Sequence, residues 1–256
     1  MTKGFAFQTA CVTNVGMARE HNEDNILVRP DIGLWAVADG MGGYGGGDVA
    51  SGAVVAALKT VSASASAAAL LAEFEAKIAG VNTDLRAMAR ARNGAILGTT
   101  LAALMVHGTH FACVWCGDSR VYLRRNGELA QISRDHSEVQ ELIDRGVLRK
   151  EEAKTWPRRN VVTRALGATD EPELEIVDGP AYLGDRFLLC SDGLIVHVAD
   201  DEIAVLLEDP DPERAVDDLL RLTLKRGASD NVSIVVVDCE GADAEQPDAD
   251  AESRGG

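Results

Sequence analysis

With 256 residues the chain is long enough for one large domain or two small ones, and 46% hydrophobic residues can fill a substantial core. A formal net charge of −16 argues against nucleic acid or an anionic membrane as partner. The opening residues, Met1-Thr2-Lys3-Gly4-Phe5-Ala6, lack the apolar segment of a signal peptide, and no run approaches membrane-spanning length, so a cytoplasmic location is expected.

Part of the charge lies in a tail. Six acids (Glu240, Asp243, Glu245, Asp248, Asp250, Glu252) face Arg254, so residues 240–256 hold −5 and the remainder −11. With no aromatic or branched aliphatic residue, this stretch reads as a disordered acidic tail. The five cysteines, Cys11, Cys113, Cys116, Cys190 and Cys239, are an odd number, mostly in apolar strand-like runs, and are expected to be buried and reduced. Cys113 and Cys116 imitate a C-x-x-C pair, but residues three apart on a strand point to opposite faces.

In chain order, residues 5–13 read as a strand. Residues 16–25 are too dense in charge for a core strand. Taken alone they are a solvated loop, and their functional reading is an arginine, Arg19, for an anion beside acids that orient it or a metal's waters. The apolar run 34–38 reads as a buried strand stopping at Asp39, followed by six glycines between Gly40 and Gly47 and by a helix from Asp48. The glycines spell G-x-G-x-x-G, yet a dinucleotide site wants an acid about 20 residues on, and none lies between Asp48 and Glu73. A P-loop fails because Gly47 is followed by Asp48. What remains is a plain strand-to-helix loop or an oxygen-ligand metal site using the Asp39 carboxylate and the Gly40 carbonyl.

Ala50, Ala53, Val54, Ala57, Leu58 and Val61 recur at helical spacing, and Leu71, Phe74, Ile78, Val81, Leu85 and Met88 predict a second helix stopped at Asn93-Gly94. Residues 99–106, 109–116 and 120–124 predict an antiparallel meander, joined by His107-Gly108 and Gly117-Asp118-Ser119 and leading to the turn Asn126-Gly127. Residues 137–146 and 150–156 carry weakly apolar helical patterns, and Pro157-Arg158-Arg159-Asn160 is a basic loop in an acidic chain. The strand-like run 186–190 ends at Ser191-Asp192-Gly193. Residues 201–207 and 212–224 read as helices, and Ser229-Asp230-Asn231 leads into a strand over 232–237.

Asp39, Asp118, Asp192 and Asp230 therefore each stand at an expected strand boundary beside a small-residue turn. Singly, each is an ordinary turn aspartate. Together, carboxylates at converging strand ends without His or Cys form a hard oxygen site suited to Mg2+ or Mn2+. Three such carboxylates against two divalent ions leave a net charge of +1, so a site that repels phosphate when empty attracts it when metallated. Two ions roughly 3.5–4 Å apart can clamp the oxygens of an in-line phosphoryl displacement. An EF-hand is excluded, since its alternating acids within one loop are missing.

Arg19-x-x-Asn22-Glu23-Asp24, Ala38-Asp39-Gly40-Met41-Gly42-Gly43, Gly98-Thr99-Thr100, Gly117-Asp118-Ser119-Arg120, Asp135-His136-Ser137, Thr163-Arg164-Ala165-Leu166-Gly167, Ser191-Asp192-Gly193 and Ser229-Asp230-Asn231 occur together and in order. Over about residues 5–239 the chain resembles the bacterial metal-dependent serine/threonine protein phosphatases of the PPM family, type 2C. The resemblance implies an α+β fold, a four-layer α/β/β/α sandwich of two central antiparallel β-sheets flanked by helices. It implies one catalytic domain over 1–239 with a flap at about 137–165.

The implied activity is hydrolysis of phosphoserine and phosphothreonine by a metal-activated water bridging two tightly bound Mn2+ or Mg2+ ions. Asp39 would bridge both ions, the Gly40 carbonyl would hold one, and Asp192 and Asp230 the other. Asp118, with Asp192, would hold a weaker third ion. Arg19 would bind the substrate phosphate, with Glu23, Asp24 and Asn231 standing behind the ligands. The implied partners are phosphoproteins of a bacterial Ser/Thr kinase, met by a monomer, with no nucleic acid and no membrane. Met41 stands where animal members have a histidine assigned as general acid, so leaving-group protonation falls to a metal-bound water or another residue, His21 and His136 being nearby in motif terms. Alternatives are a catalytically weak phosphoprotein-binding regulator and a phosphatase of small metabolites. Arg145, Arg149, Lys150, Lys154, Arg158, Arg159 and Arg164 concentrate in the flap, either to attract acidic phosphoprotein surfaces or to pair with Asp144, Glu151 and Glu152.

Overall fold

The structure is a computed structural model that describes residues 5–42, 45–92 and 96–241, the side chain of Lys154 excepted. The strand β3 (Leu34–Gly42) shows how the sequence generates layers. Leu34, Ala36 and Ala38 belong to one core, Trp35 and Val37 to another. Since successive side chains leave opposite faces, a strand apolar at every position must be covered on both.

One antiparallel sheet runs in the order β2 (Asp24–Arg29), β3, β5 (Leu101–His107), β6 (His110–Cys116), β9 (Glu175–Pro180), with β4 (Leu97–Thr99) paired to the last residues of β3. The other runs β1 (Ala6–Asn14), β11 (Val232–Glu240), β10 (Arg186–Cys190), β7 (Arg120–Arg125), β8 (Glu128–Gln131). Helices α1 (Gly46–Leu58) and α2 (Ala67–Ala91) share a core with the outer face of the first sheet. Within α2, Ser66 caps the N-terminus by accepting from Ala69 N at 3.2 Å, and Phe74, Ile78 and Leu85 point inward. Fully burying such a side chain contributes about 1.5–3 kcal/mol.

On the other side, α4 (Asp192–Ile195), α5 (Asp200–Leu206) and α6 (Pro212–Lys225) supply Leu194, Ile203 and Leu219 to a core with β10 and β11. The third core, Trp35, Val37, Leu104, Phe187 and Val235 among others, lies between the sheets. The four-layer α/β/β/α sandwich is thus present. The helix α3 (Glu138–Asp144) contributes to none of these cores and lies in the expected flap.

Several boundaries differ from the sequence reading. Residues 99–124 do not form a meander: β5 pairs β6, but β7 lies in the opposite sheet beside β10. Gly117 has φ +111°, and a side chain there would meet Thr100 at 2.6 Å, so Gly117-Asp118-Ser119 is a crossing between sheets and not a hairpin turn. β3 does not stop at Asp39, because β4 extends its pairing through Gly42. Leu70, not Leu71, fills the first inward position of α2, and Met88 is exposed; the stop at Asn93-Gly94 lies outside the described residues. Only Ala153–Thr155 is helical within 150–156, as a single tight turn.

The edge strand β9 carries no signal strong enough to announce it, since Ile176 and Val177 are followed by Asp-Gly-Pro. Glu240 is the last residue of β11 and not the start of the tail, while residues 242–256 lie outside the described ones. Cys113 and Cys116 do face opposite ways, one between the sheets and one under the helices, but Cys11 is exposed on β1.

The alternation that fills the inter-sheet core also builds its rim. Asp24 continues the face of Ile26 and Val28, and Asp39 that of Trp35 and Val37. Ser119, Ser191 and Ser233 continue the faces of Val121, Leu189 and Val235. At one end, then, the apolar core between the sheets gives way to carboxylates and hydroxyls.

Candidate metal centre

Asp24 and Asp39 are direct cross-strand partners in β2 and β3. Two carboxylates opposite each other on one face, with Cβ atoms about 4.5–5.5 Å apart, repel, and here Asp24 is buried and Asp39 half-buried. Burial first, and then the Asp230 charge, pushes Asp24 up to about 6, against hydrogen bonding to Ser233 and Asp39 and the Ser191 hydroxyl that donates to its Oδ2 at 2.8 Å. Asp39 is held well above the usual carboxylate range by burial first and then by Asp24, Asp192, Asp118 and Asp230. Asp192, the first residue of α4, is raised in the same way by burial and by Asp118 and Asp230. Asp118 is pushed up to about 7 by burial and Asp135. The four aspartates read from the sequence are therefore brought within electrostatic reach of one another, with Asp24 as a fifth.

Two buried oxygens in this cluster, Asp24 Oδ1 and Asp192 Oδ1, have no hydrogen-bond partner. A buried acceptor left so is costly, and the donor set here is oxygen throughout. Among the described residues no three His, Cys, Asp or Glu side chains stand together closely enough to hold a metal ion as they are. An open rim of carboxylates suits Mg2+ or Mn2+, the former commonly keeping several of its waters and taking only one or two carboxylates. The residues fit divalent cations on these grounds.

Backbone packing aims the cluster. The Asp39 amide donates to Thr100 Oγ1 at 3.1 Å, and its carbonyl accepts from Thr100 N at 2.8 Å and Thr99 Oγ1 at 2.9 Å. Gly40 and Gly47 pass so closely that a Cβ on Gly40 would lie 2.1 Å from Gly47 O. Glu23 secures that approach: its carbonyl accepts from Gly40 N and from Ser51 Oγ, and its Oε1 accepts from Gly47 N. Asn231 accepts from Glu23 N and donates to the carbonyls of Val15 and His21, which pins the loop carrying Arg19 to the start of β11. Arg19, about half exposed, reaches over the cluster and donates to Asp230 Oδ2 at 2.6 Å.

The sequence placed Thr100 and Ser191 in motifs without a role of their own and gave no sign of Ser233. Ser191 Oγ joins Asp24 to the Ser233 amide, and only the alternation of each strand marks these hydroxyls. Of the two candidate histidines, His21 is exposed and engages Asn231 through its carbonyl, whereas His136 is buried behind the Asp118 turn. A cleft of about 700 Å³ opens from Asp118 and Asp192 between the flap and α4–α5, with Lys150 and Arg159 on one wall and Asp201 on the other.

The model of protein phosphatase 2C matches residues 18–233, well over half of the sequence. The chain belongs to the protein phosphatase 2C family. This phosphatase 2C chain is 40% identical over 225 residues to the serine/threonine protein phosphatase PstP of Mycobacterium tuberculosis, covering 87% of the chain but only 43% of that relative. It thus spans less than half the length of that curated relative. Among solved structures, PppA of Pseudomonas aeruginosa, described as a regulatory component of T6SS, superposes with a TM-score of 0.85 at 41% identity, covering 91% of this chain and 97% of that one. The catalytic domain of PstP in complex with two manganese ions superposes with a TM-score of 0.82 at 38% identity, covering 92% and 99%. The two antiparallel sheets flanked by helices are those of this family.

Proposed function

We propose that this chain is a metal-dependent protein phosphatase that hydrolyses phosphoserine and phosphothreonine, with Asp39, Gly40, Asp192 and Asp230 around two Mn2+ or Mg2+ ions and Asp118 beside a weaker third. One observation carries the reading: carboxylates meet at Asp24, which is buried, and at Asp39 and Asp192, which are half-buried, and one buried oxygen each of Asp24 and Asp192 has no partner among the described residues. A cation-free protein gains nothing from that arrangement. The 38% identical PstP domain described with two manganese ions supports the same reading. When bound, the ions supply a nucleophile from water at neutral pH and positive charge for the phosphoryl oxygens.

The remaining roles belong to the chain. Thr99 and Thr100 fix the backbone of Asp39, Asp24 stands opposite it on the adjacent strand, and Glu23 holds Gly40 against Gly47. Arg19 has one terminal nitrogen on Asp230, so the rest of its planar fork is free to take a phosphate oxygen at the mouth of the centre. Competing with a cation for the Asp230 carboxylate, Arg19 would be left to the substrate phosphate.

Among the described residues no helix is long and apolar enough to cross a membrane, and the net charge keeps the chain from anionic lipid. A cytoplasmic monomer acting on the phosphoproteins of a Ser/Thr kinase fits both. Hydrolysis of a phosphothreonine peptide with Mn2+ and with EDTA, beside a panel of sugar phosphates, tests the reading. Mn2+-dependent release from the peptide, at least about tenfold faster than from any sugar phosphate, is expected. Release in EDTA overturns the metal centre, a preference for sugar phosphates overturns the substrate class, and binding of phosphopeptide without turnover points to a regulator.

A further inference from the structure

His136 is only 6% exposed and serves no step described above. Its ring Nδ1 accepts from the Gly117 amide at 3.1 Å, and its own amide donates to the Gly117 carbonyl at 2.9 Å. Both backbone groups of the residue before Asp118 are thus held by one residue. The His136 carbonyl accepts from Thr163 N at 2.8 Å, and the adjacent Ser137 bridges Val162 across the root of the flap. Ring Nε2 lies 3.2 Å from Glu175 Oε1, which also accepts from Arg164 at 2.8 Å, and the ring stacks on Trp115 at 23°.

Burial, and next the Arg164 cation, push His136 below the usual imidazole range, and the Gly117 amide that donates to Nδ1 requires that nitrogen to be unprotonated. A neutral ring that receives at Nδ1 carries its proton on Nε2, where Glu175 accepts it. On its other side Gly117 rests against Thr100, the residue that supports Asp39.

We propose that His136 is a positioning residue that clamps Gly117 so as to aim the Asp118 carboxylate, and that ties this aim to the root of the flap at Thr163. The effect on a cation rests on the function proposed above, but the clamp itself does not.

The test uses His136→Asn, whose amide reaches the place of Nδ1, and His136→Gln, whose amide reaches that of Nε2. Amide hydrogen exchange at Gly117 should quicken about tenfold in the Gln variant, the change an ordinary hydrogen bond carries, and stay near the parent rate in the Asn variant. Calorimetric titration with Mn2+ should show the weakest binding event loosened about tenfold or more by Gln, as for other residues behind metal ligands, with the Asn variant retaining it and the tighter events unmoved in both. Equal effects of the two variants, or none, would reduce His136 to packing on Trp115 and overturn the proposal.

Asp118→Ala serves as the reference. If it leaves every Mn2+ event intact, the assignment of Asp118 fails, and Gly117 exchange alone then decides on His136. Should the Gln variant not fold, Glu175→Ala, which leaves no acceptor at that place, replaces it. Without the carboxylate the Nε2 proton is no longer fixed, and Gly117 exchange should quicken about threefold; an unchanged rate counts against the clamp.

Discussion

At Asp39 two requirements collide, because the strand alternation that places it on the inter-sheet face also sets it opposite Asp24. Removing one charge should therefore separate function from stability. Asp39→Asn is expected to lose Mn2+-dependent hydrolysis to background, yet to raise the thermal midpoint in EDTA. Relief of a like-charge cross-strand pair is on the order of 1 kcal/mol, which in a domain of this size is about 2–4 °C. Turnover near the parent rate in saturating Mn2+, or a lowered midpoint in EDTA, would contradict the pairing of roles. At this scale Asp39, Asp118, Asp192 and Asp230 were legible in the sequence because each stands beside a glycine or serine turn. Ser233 was not, and the bond from Ser191 to Asp24 was not either, since a hydroxyl that completes an alternating strand leaves no local mark of its partner until the partner strand is known.

At the scale of elements, the flap resolves a question that composition left open. Arg145, Arg149, Arg158 and Arg164 pair with Glu141, Glu152, Glu138 and Glu175, so most of the basic concentration is spent inside the segment or at its root. Asp144 is taken by Arg134. Lys150 and Arg159 instead line the cleft that leads to Asp118 and Asp192. The double variant Lys150→Glu with Arg159→Glu should lower kcat/KM on an acidic phosphoprotein about tenfold with a shallower salt dependence, as lost electrostatic steering would. Para-nitrophenyl phosphate should be hydrolysed at the parent rate, and Arg158→Glu alone should matter little. Equal losses on both substrates would remove these two residues from recognition. The helices α1 and α2 were readable from their 3.6-residue apolar period, whereas the crossing at Gly117-Asp118-Ser119 was read as a hairpin. Short turns rich in glycine look alike whether the chain returns to its own sheet or passes to the other, and only the Thr100 contact distinguishes them.

Over the whole molecule the acidic rim couples stability to protons and cations. Asp24 and Asp118 are raised to about 6 and about 7, and Asp39 and Asp192 are also held well above the usual carboxylate range, all from an ordinary value near 3.8. Between about pH 4 and 7 the folded chain therefore holds more protons at these sites than the unfolded chain does. Stability contributed by the four groups is present in full below the unfolded value and is lost as pH rises through the folded ones. In EDTA the thermal midpoint should accordingly fall from pH 5 to pH 7.5, opposite to the trend of a protein whose carboxylates are stabilised by partners. Divalent cations compete with those protons, so Mn2+ should restore more at pH 7.5 than at pH 5. At 100 times its dissociation constant a ligand adds about 2.7 kcal/mol, roughly 5–10 °C for this length. Scanning calorimetry at the two pH values, with EDTA and with Mn2+, measures all four midpoints. A midpoint in EDTA that is flat or rises over this window, together with equal Mn2+ increments at both pH values, would show that the buried carboxylates are not the seat of cation binding.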